Sequence, residues 1–216
     1  MAQRAGGGDV RLGVLVSGEG TSLQNLIDRI ADGRLNGVRI AVVVSSRSSV
    51  GAVDRARRAR VAVEVVRVKD WPDVERFSDA VVAALERHDV ALAVQAGWLC
   101  YWRLPPRWLG RVINVHPALL PDFGGRGFFG LRVHEAVLAA GRTISGATVH
   151  WVDNEYDHGE IIARRTCPVR PGDTPRTLAD RVQVLERELL PGAILLAAAR
   201  LRAGSPGLTP PPAGGW

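Results

Sequence analysis

Short runs of aliphatic and β-branched residues alternate with segments of helical spacing along most of the chain. Residues 10–17 (VRLGVLVS) form an apolar run ending at Gly18, and residues 21–30 follow with Leu23, Leu26, Ile27 and Ile30 on one helical face. Residues 38–45 (VRIAVVVS) predict a second strand, followed by a helix from about 50 to 60 and a third strand over 61–68. In residues 73–88, Val74, Phe77, Val81, Val82 and Leu85 recur at the period of an amphipathic helix. Residues 90–96 (VALAVQA) and 111–115 predict strands four and five. Apolar strands that alternate with helices point to a mostly parallel sheet covered on both faces, the doubly wound α/β class.

After residue 140 the pattern changes. Residues 144–152 and 160–169 flank the turn-rich segment 153–159 and predict an antiparallel hairpin. Residues 174–202 predict a closing helix, with Asp173 or Thr174 as its cap and Pro175 in its first turn. Pro191 is expected to interrupt or kink that helix. The expected organisation is a flexible stretch over 1–9, one domain over 10–202, and a loose Gly/Pro-rich tail over 203–216.

Composition narrows the function classes. The chain has 216 residues, 46% hydrophobic and 23% charged, which suits one globular core. No apolar run reaches the ~18–20 residues of a membrane span. Residues 1–9 hold one arginine and three glycines without the apolar stretch of a signal peptide, so a cytoplasmic location is expected. Cys100 and Cys167 make no disulfide framework, and no Cys/His cluster suggests zinc. The net charge of +6 is almost all arginine, with Lys69 the only lysine. Such a balance attracts phosphorylated or polycarboxylate ligands. The arginines are scattered, with no basic stripe among aromatics, so neither nucleic acid nor membrane is an expected partner.

Three segments carry candidate chemistry. In Ser17-Gly18-Glu19-Gly20-Thr21-Ser22, glycines let a backbone approach a ligand, and the Thr21 and Ser22 hydroxyls with free helix N–H groups can hold a phosphate. A serine-capped strand-to-helix turn fits the same residues. Glu19 is an awkward neighbour for an anion, and its side chain is expected to point away. In Ile113-Asn114-Val115-His116-Pro117, Asn114 and His116 stand two apart in an extended segment and point to one side. They fall at the carboxyl edge of the sheet, where open α/β sheets place ligands, although an Asn/His pair closing a loop is the simpler alternative. The third segment runs from Thr148 to Gly159 (TVHWVDNEYDHG) and brings Asp153, Glu155 and Asp157 into a turn. Solvated turn carboxylates fit that segment equally well. His150 reads as a core or interface histidine, and His134 as the start of an ordinary helix.

Taken in order, SGEGTSLQ, the Gln-Ala-Gly-Trp ending strand four, INVHPALLP, EYDHG and the helical RVQVLERELLP resemble the glycinamide ribonucleotide formyltransferase family over about residues 10 to 202. The resemblance implies a Rossmann-like formyltransferase fold and formyl transfer from 10-formyltetrahydrofolate, as co-substrate, to the amine of a small ribonucleotide. It implies a catalytic trio of Asn114, His116 and Asp157, with Asp157 keeping His116 charged, and no metal or covalent enzyme intermediate. Gly20, Thr21 and Ser22 would then hold the phosphate and Glu186 the ribose hydroxyls, with Gln183 sharing that wall. Arg111 is expected to support the trio or the ligand, or simply to pack. The pterin is expected between residues 98–102 (Trp98, Leu99, Cys100 and Trp102) and residues 152–157 (Val152 and Asp153), held largely by backbone groups.

Two departures from the family's commonest pattern stand out. Cys100-Tyr101-Trp102 replaces a Met-Arg-Ile-Leu type of sequence, and the loop over 122–130 (DFGGRGFFG) is longer than in some members, reading as a flap or a static surface loop. Partners are expected to be the nucleotide and folate, with the chain a monomer or homodimer. A formyltetrahydrofolate hydrolase shares the trio but normally carries a domain before it, where about nine residues precede strand one here. Formyltransferases acting on amino sugar nucleotides or on methionyl-tRNA usually add a C-terminal domain, for which residues 203–216 leave no room. An idle ligand- or RNA-binding relative would not be expected to keep Asn114, His116 and Asp157.

Overall fold

The structure, a computed structural model, describes residues 8–204. The expectations for residues 1–7 and 205–216 lie outside the described residues. Seven strands are joined in one sheet: β1 (Val10–Val16), β2 (Val38–Ser45), β3 (Ala62–Val65), β4 (Leu92–Gln95), β5 (Val112–His116), β6 (Ile144–Trp151) and β7 (Ile161–Pro168). Their order is β3-β2-β1-β4-β5-β6-β7. The first five run parallel, while β6 pairs antiparallel with both β5 and β7. The mostly parallel sheet with its antiparallel hairpin is the architecture that the periodicity predicts.

The helices are α1 (Thr21–Ala31), α2 (Gly51–Arg58), α3 (Val74–Arg87), α4 (Leu131–Ala139) and α5 (Pro175–Arg202). Alternate strand residues enter two separate cores, because successive side chains of a strand point to opposite faces. Ile113 and Val115 of β5 join a core that includes Leu23 and Leu26 of α1, Val137 of α4 and Ile194 of α5. Val112 of the same strand faces Phe77 and Val81 of α3, together with Trp98, Trp102 and Trp108. Both faces of the parallel strands are therefore covered. Among the described residues no helix is long and apolar enough to cross a membrane.

Local chemistry sets the helix starts. Asp73 caps α3 by accepting the Arg76 N–H at 2.7 Å, and Thr174 opens α5 through a reciprocal capping box with Thr177, followed by Pro175. α5 continues unbroken through Pro191, so the proline does not interrupt it. Proline removes the N–H that the carbonyl four residues back would accept, and here that carbonyl, of Arg187, accepts the Asn25 side-chain amide at 2.8 Å. The third strand is also shorter than predicted, since Val68–Asp70 folds into a turn of 3-10 helix.

β1 lies between β2 and β4, so the chain reverses its direction of travel across the sheet there. Crevices at the carboxyl ends of strands at such a switch point are the usual ligand sites of open α/β sheets. Ser17 closes the crevice floor: its Oγ accepts the Leu99 N–H at 3.0 Å and the Ser46 hydroxyl at 2.7 Å.

Candidate active site at the carboxyl edge of the sheet

Asn114 and His116 share one face of β5, and antiparallel pairing with β6 sets His150 directly opposite Asn114 and Thr148 opposite His116. The segment after β6 turns back over this edge and presents Asp157 in the left-handed region (φ 54°), a conformation that Asp tolerates better than most residues. Asp157 Oδ1 lies 3.4 Å from Asn114 Nδ2 and 3.5 Å from His150 Nε2, while Oδ2 lies 3.6 Å from His116 Nδ1. The structure thus brings Asn114, His116 and Asp157 together and adds His150 as a fourth member.

A carbonyl can only accept, so two ring hydrogens are assigned by their partners. His116 Nε2–H donates to the Phe123 carbonyl at 2.9 Å, which turns Nδ1 toward Asp157. His150 Nδ1–H donates to the Trp151 carbonyl at 2.7 Å, leaving Nε2 to face the Asn114 amide at 3.2 Å. Asn114 Nδ2 is thereby held with its hydrogens toward His150 and Asp157. The loop over 122–130 is tied to the same cluster, since the Gly125 N–H also donates to Asp157 Oδ2 at 2.9 Å. Gly124 sits so tightly between Leu120 and Asp157 that a Cβ there would overlap the Leu120 side chain.

The electrostatics correct one expectation. Burial pushes the His116 pKa below its ordinary value and outweighs the nearby Asp157 carboxylate, which pulls it up. His116 therefore rests neutral near pH 7 rather than charged. Burial raises the Asp157 carboxyl, but His150, His116 and the Gly125 N–H together bring it below the ordinary carboxylate range. Asp157 is thus an ionised carboxylate beside a neutral imidazole. Behind them His134, the fourth residue of α4, is buried, and desolvation takes its pKa to about 4.

On the other side of the crevice, the first turn of α1 is open. Gly20 caps it in the left-handed region, no side chain caps it, and Gln24 is the first residue whose N–H is bonded within the helix, to the Gly20 carbonyl at 2.9 Å. The N–H groups of Thr21, Ser22 and Leu23 thus form a ready anion site. Glu19 points away, as expected, with its carboxylate packed against Gly51 at the start of α2. Gly20 also makes room for α2, since a Cβ there would lie 2.7 Å from Ala52 Cα.

Helix α5 supplies the adjoining wall. Gln183 Nε2 donates to Thr21 Oγ1 at 3.4 Å, and Glu186 stands one turn further along. The Glu186 carboxyl is partly buried, and desolvation raises its pKa to about 7. Among the described residues it has no hydrogen-bond or ion-pair partner, unlike Glu188, which pairs with Arg165.

The segments expected around the pterin lie side by side: Tyr101 Oη donates to the Asn154 carbonyl at 3.1 Å, and the Asn154 side chain bridges the Leu104 N–H and carbonyl at 2.8 and 3.2 Å. Their side chains are divided between the core and a cleft. Trp98 and Trp102 are buried in the core against α3, with Trp98 stacked on Phe77, because large aromatic area is worth more inside than on an open wall. Leu99 is 54% exposed and Cys100 is partly so, and they line a cleft of about 470 Å³ with Ser17, Arg47 and Lys69. Val152 is half-buried with its N–H on the Val112 carbonyl, and Asp153 is engaged by His158 Nδ1 at 3.0 Å.

Arg111 is also corrected. It precedes β5, whereas His116 ends it, so the length of the strand, about 16 Å at 3.3 Å per residue, separates them across the sheet. Arg111 is exposed at the opposite end of β5 from His116. What the sequence reading missed is His150 and the Phe123 carbonyl. The signal for His150 was available: it stands two residues after Thr148 on the same strand face, as His116 stands after Asn114.

Similarity to known proteins agrees with this geometry. Residues 10–194 match the model of the formyl transferase family. The chain is 35% identical over 190 residues to the human trifunctional purine biosynthetic protein adenosine-3, covering 87% of this chain and 18% of that protein. It is 36% identical over 185 residues to the chloroplastic phosphoribosylglycinamide formyltransferase of Arabidopsis thaliana, covering 83% and 62%. It thus spans about a fifth of the trifunctional relatives and under two thirds of the plant one. Among solved structures, glycinamide ribonucleotide transformylase 1 from Symbiobacterium toebii superposes with a TM-score of 0.82 at 36% identity, covering 89% of each chain. With the family model spanning the sheet and this likeness extending over nearly the whole of both chains, the protein belongs to the formyl transferase family.

Proposed function

We propose that the protein transfers the formyl group of 10-formyltetrahydrofolate to the amine of glycinamide ribonucleotide in purine biosynthesis, and that residues 10–202 act as the one unit that does so. The observation that carries this reading is the pairing of two half-sites across one crevice: an ionised Asp157 among Asn114, His116 and His150, and an uncapped helix turn facing an unpaired Glu186. The first suits acyl chemistry, the second a ribose phosphate. The folate enters as a substrate and supplies the formyl carbon. The exposed Leu99 and half-buried Cys100 beside the 152–157 segment offer an apolar wall, which fits a flat pterin.

In this reading the Asn114 amide keeps one hydrogen on His150 and turns the other, which makes only a long 3.4 Å contact with Asp157, to the formyl oxygen as negative charge develops there. A donor preorganised in this way is worth roughly 10²–10³ in rate. The attacking amine forms the new C–N bond and must lose a proton. His116 Nδ1, unprotonated and turned toward the carboxylate, accepts it through a water ordered by Asp157, and Asp157 stabilises the imidazolium that results. The proton then passes to the folate nitrogen as its bond to the formyl carbon breaks. His150 holds Asn114 in orientation, and Thr21 and Ser22 hold the phosphate with Glu186 on the ribose diol.

Hydrolysis of the same donor by water is the second reading, since water could meet Asn114 and Asp157 as an amine does. Incubating the protein with 10-formyltetrahydrofolate, with and without glycinamide ribonucleotide, separates the two. The proposal predicts formylated nucleotide in amounts equal to the folate released, and little folate release without nucleotide. Equal release in both reactions would establish the hydrolase.

A further inference from the structure

Two hydrogen bonds, one helical turn apart, lace α1 to α5. Gln183 Nε2 reaches Thr21 Oγ1 at 3.4 Å, and Asn25 Nδ2 donates to the Arg187 carbonyl at 2.8 Å. Thr21 and Asn25 are four residues apart on α1, as Gln183 and Arg187 are on α5, so each pair occupies one helix face. Glu186 lies between the two α5 positions. The Arg187 carbonyl is available only because Pro191, buried in α5, has no N–H to offer it. The Asn25 amide is oriented from both ends, since its Oδ1 accepts the Arg29 guanidinium at 3.1 Å. An unpaired carbonyl inside a packed helix is costly, so the contact is specified from both sides by Asn25 and Pro191.

We propose that Asn25 is a positioning residue that, through the carbonyl freed by Pro191, sets the Glu186 turn of α5 against the phosphate-binding turn of α1. The inference rests on the proposed nucleotide site and adds a specific requirement to it. One side of the site holds phosphate and the other holds ribose, so their separation sets how well a nucleotide spans both. The folate wall and the Asn114 cluster lie on other elements and should be indifferent to the lacing.

The test is a double-mutant cycle of Asn25→Ala and Pro191→Ala in the full chain, read by the KM for glycinamide ribonucleotide, the KM for folate, kcat and Tm. Asn25→Ala should raise the nucleotide KM roughly three- to tenfold, the scale of one lost hydrogen bond, with kcat and folate KM within twofold of wild type. Pro191→Ala restores an N–H that pairs with the Arg187 carbonyl within the helix. The double variant should therefore match Pro191→Ala alone, in nucleotide KM and in Tm. A nucleotide KM unchanged by Asn25→Ala, a parallel rise in both KM values, or a double variant showing the full product of the single effects would overturn the inference. If Asn25→Ala fails to fold, the cycle is run with Asn25→Ser, whose shorter side chain cannot reach the carbonyl, and the same outcomes decide. A wild type that does not formylate glycinamide ribonucleotide would refute the functional reading itself, and the inference with it. A working wild type whose variants are uncoupled would refute the inference alone.

Discussion

Replacing Glu186 by Gln should move stability and nucleotide binding in opposite directions. Glu186 has a folded-state pKa of about 7 against an ordinary value of 4.5, because burial disfavours its charged form and the nearby Arg187 charge offsets only part of that cost. A raised carboxyl pKa means that the folded protein holds the proton more tightly than the unfolded chain. The stability linked to that proton is fully present below about pH 4.5 and is lost as pH rises to about 7. Two to three pKa units correspond to about 3 kcal/mol, and partial exposure of the side chain reduces this to about 1–3 kcal/mol. Gln carries no charge to desolvate, so Glu186→Gln should match wild type at pH 5 and unfold roughly 2–10 °C higher at pH 8. Binding should change the other way. An ionised carboxylate accepts both ribose hydroxyls, so wild-type affinity for a nucleoside lacking the phosphate should rise between pH 6 and 8. The variant should bind more weakly at pH 8 and show no such rise. Calorimetric unfolding and nucleoside titrations at pH 5, 6, 7 and 8 read both effects. A Tm difference that is the same at pH 5 and pH 8, or a variant that keeps the wild-type pH dependence of binding, would refute the reasoning.

Other changes follow from the same geometry. Asp157→Asn keeps an acceptor for Gly125 but removes a charge 3.6 Å from His116 Nδ1. An interaction of roughly 4 kcal/mol at an effective dielectric of 20 is thereby lost, and single-turnover formyl transfer should slow about 10²–10³-fold. His150→Leu removes the acceptor that orients Asn114 and should lower kcat about tenfold with folate affinity intact. Equal loss of folate affinity in a titration would make His150 a packing residue instead. Gly20→Val drives a side chain into Ala52, so it should lower Tm by several degrees before any effect on nucleotide KM is seen, and a variant with wild-type Tm would contradict that contact.

Much of this molecule is legible in its sequence because the relevant information is local. The alternation of strands and helices, the cap at the start of the closing helix, and the two-residue spacing of Asn114 and His116 all follow from neighbouring positions. The rest is not legible where a side chain's surroundings depend on a distant segment. Trp98 and Trp102 stand in a segment that could line a ligand, yet α3 offers Phe77 and a core to fill. Arg111 neighbours the catalytic strand in sequence but joins its opposite end. His150 became a site residue only through the register of β6 on β5, and Gly20 answers to Ala52, thirty-two positions later. Pro191 would break an isolated helix, and Asn25, from the first helix, removes the penalty.

The central claim is that Asn114, His116 and Asp157 act on one tetrahedral intermediate rather than merely lining a pocket. Single-turnover formyl transfer to glycinamide ribonucleotide by Asn114→Ala, Asp157→Asn and the double variant, each checked for fold by circular dichroism, tests it most directly. Asn114→Ala should slow the chemical step roughly 10²–10³-fold with folate binding nearly unchanged. Because both groups serve the same intermediate, the double variant should lose clearly less than the product of the two single losses. Variants that keep a near-normal rate and lose only affinity would contradict the account.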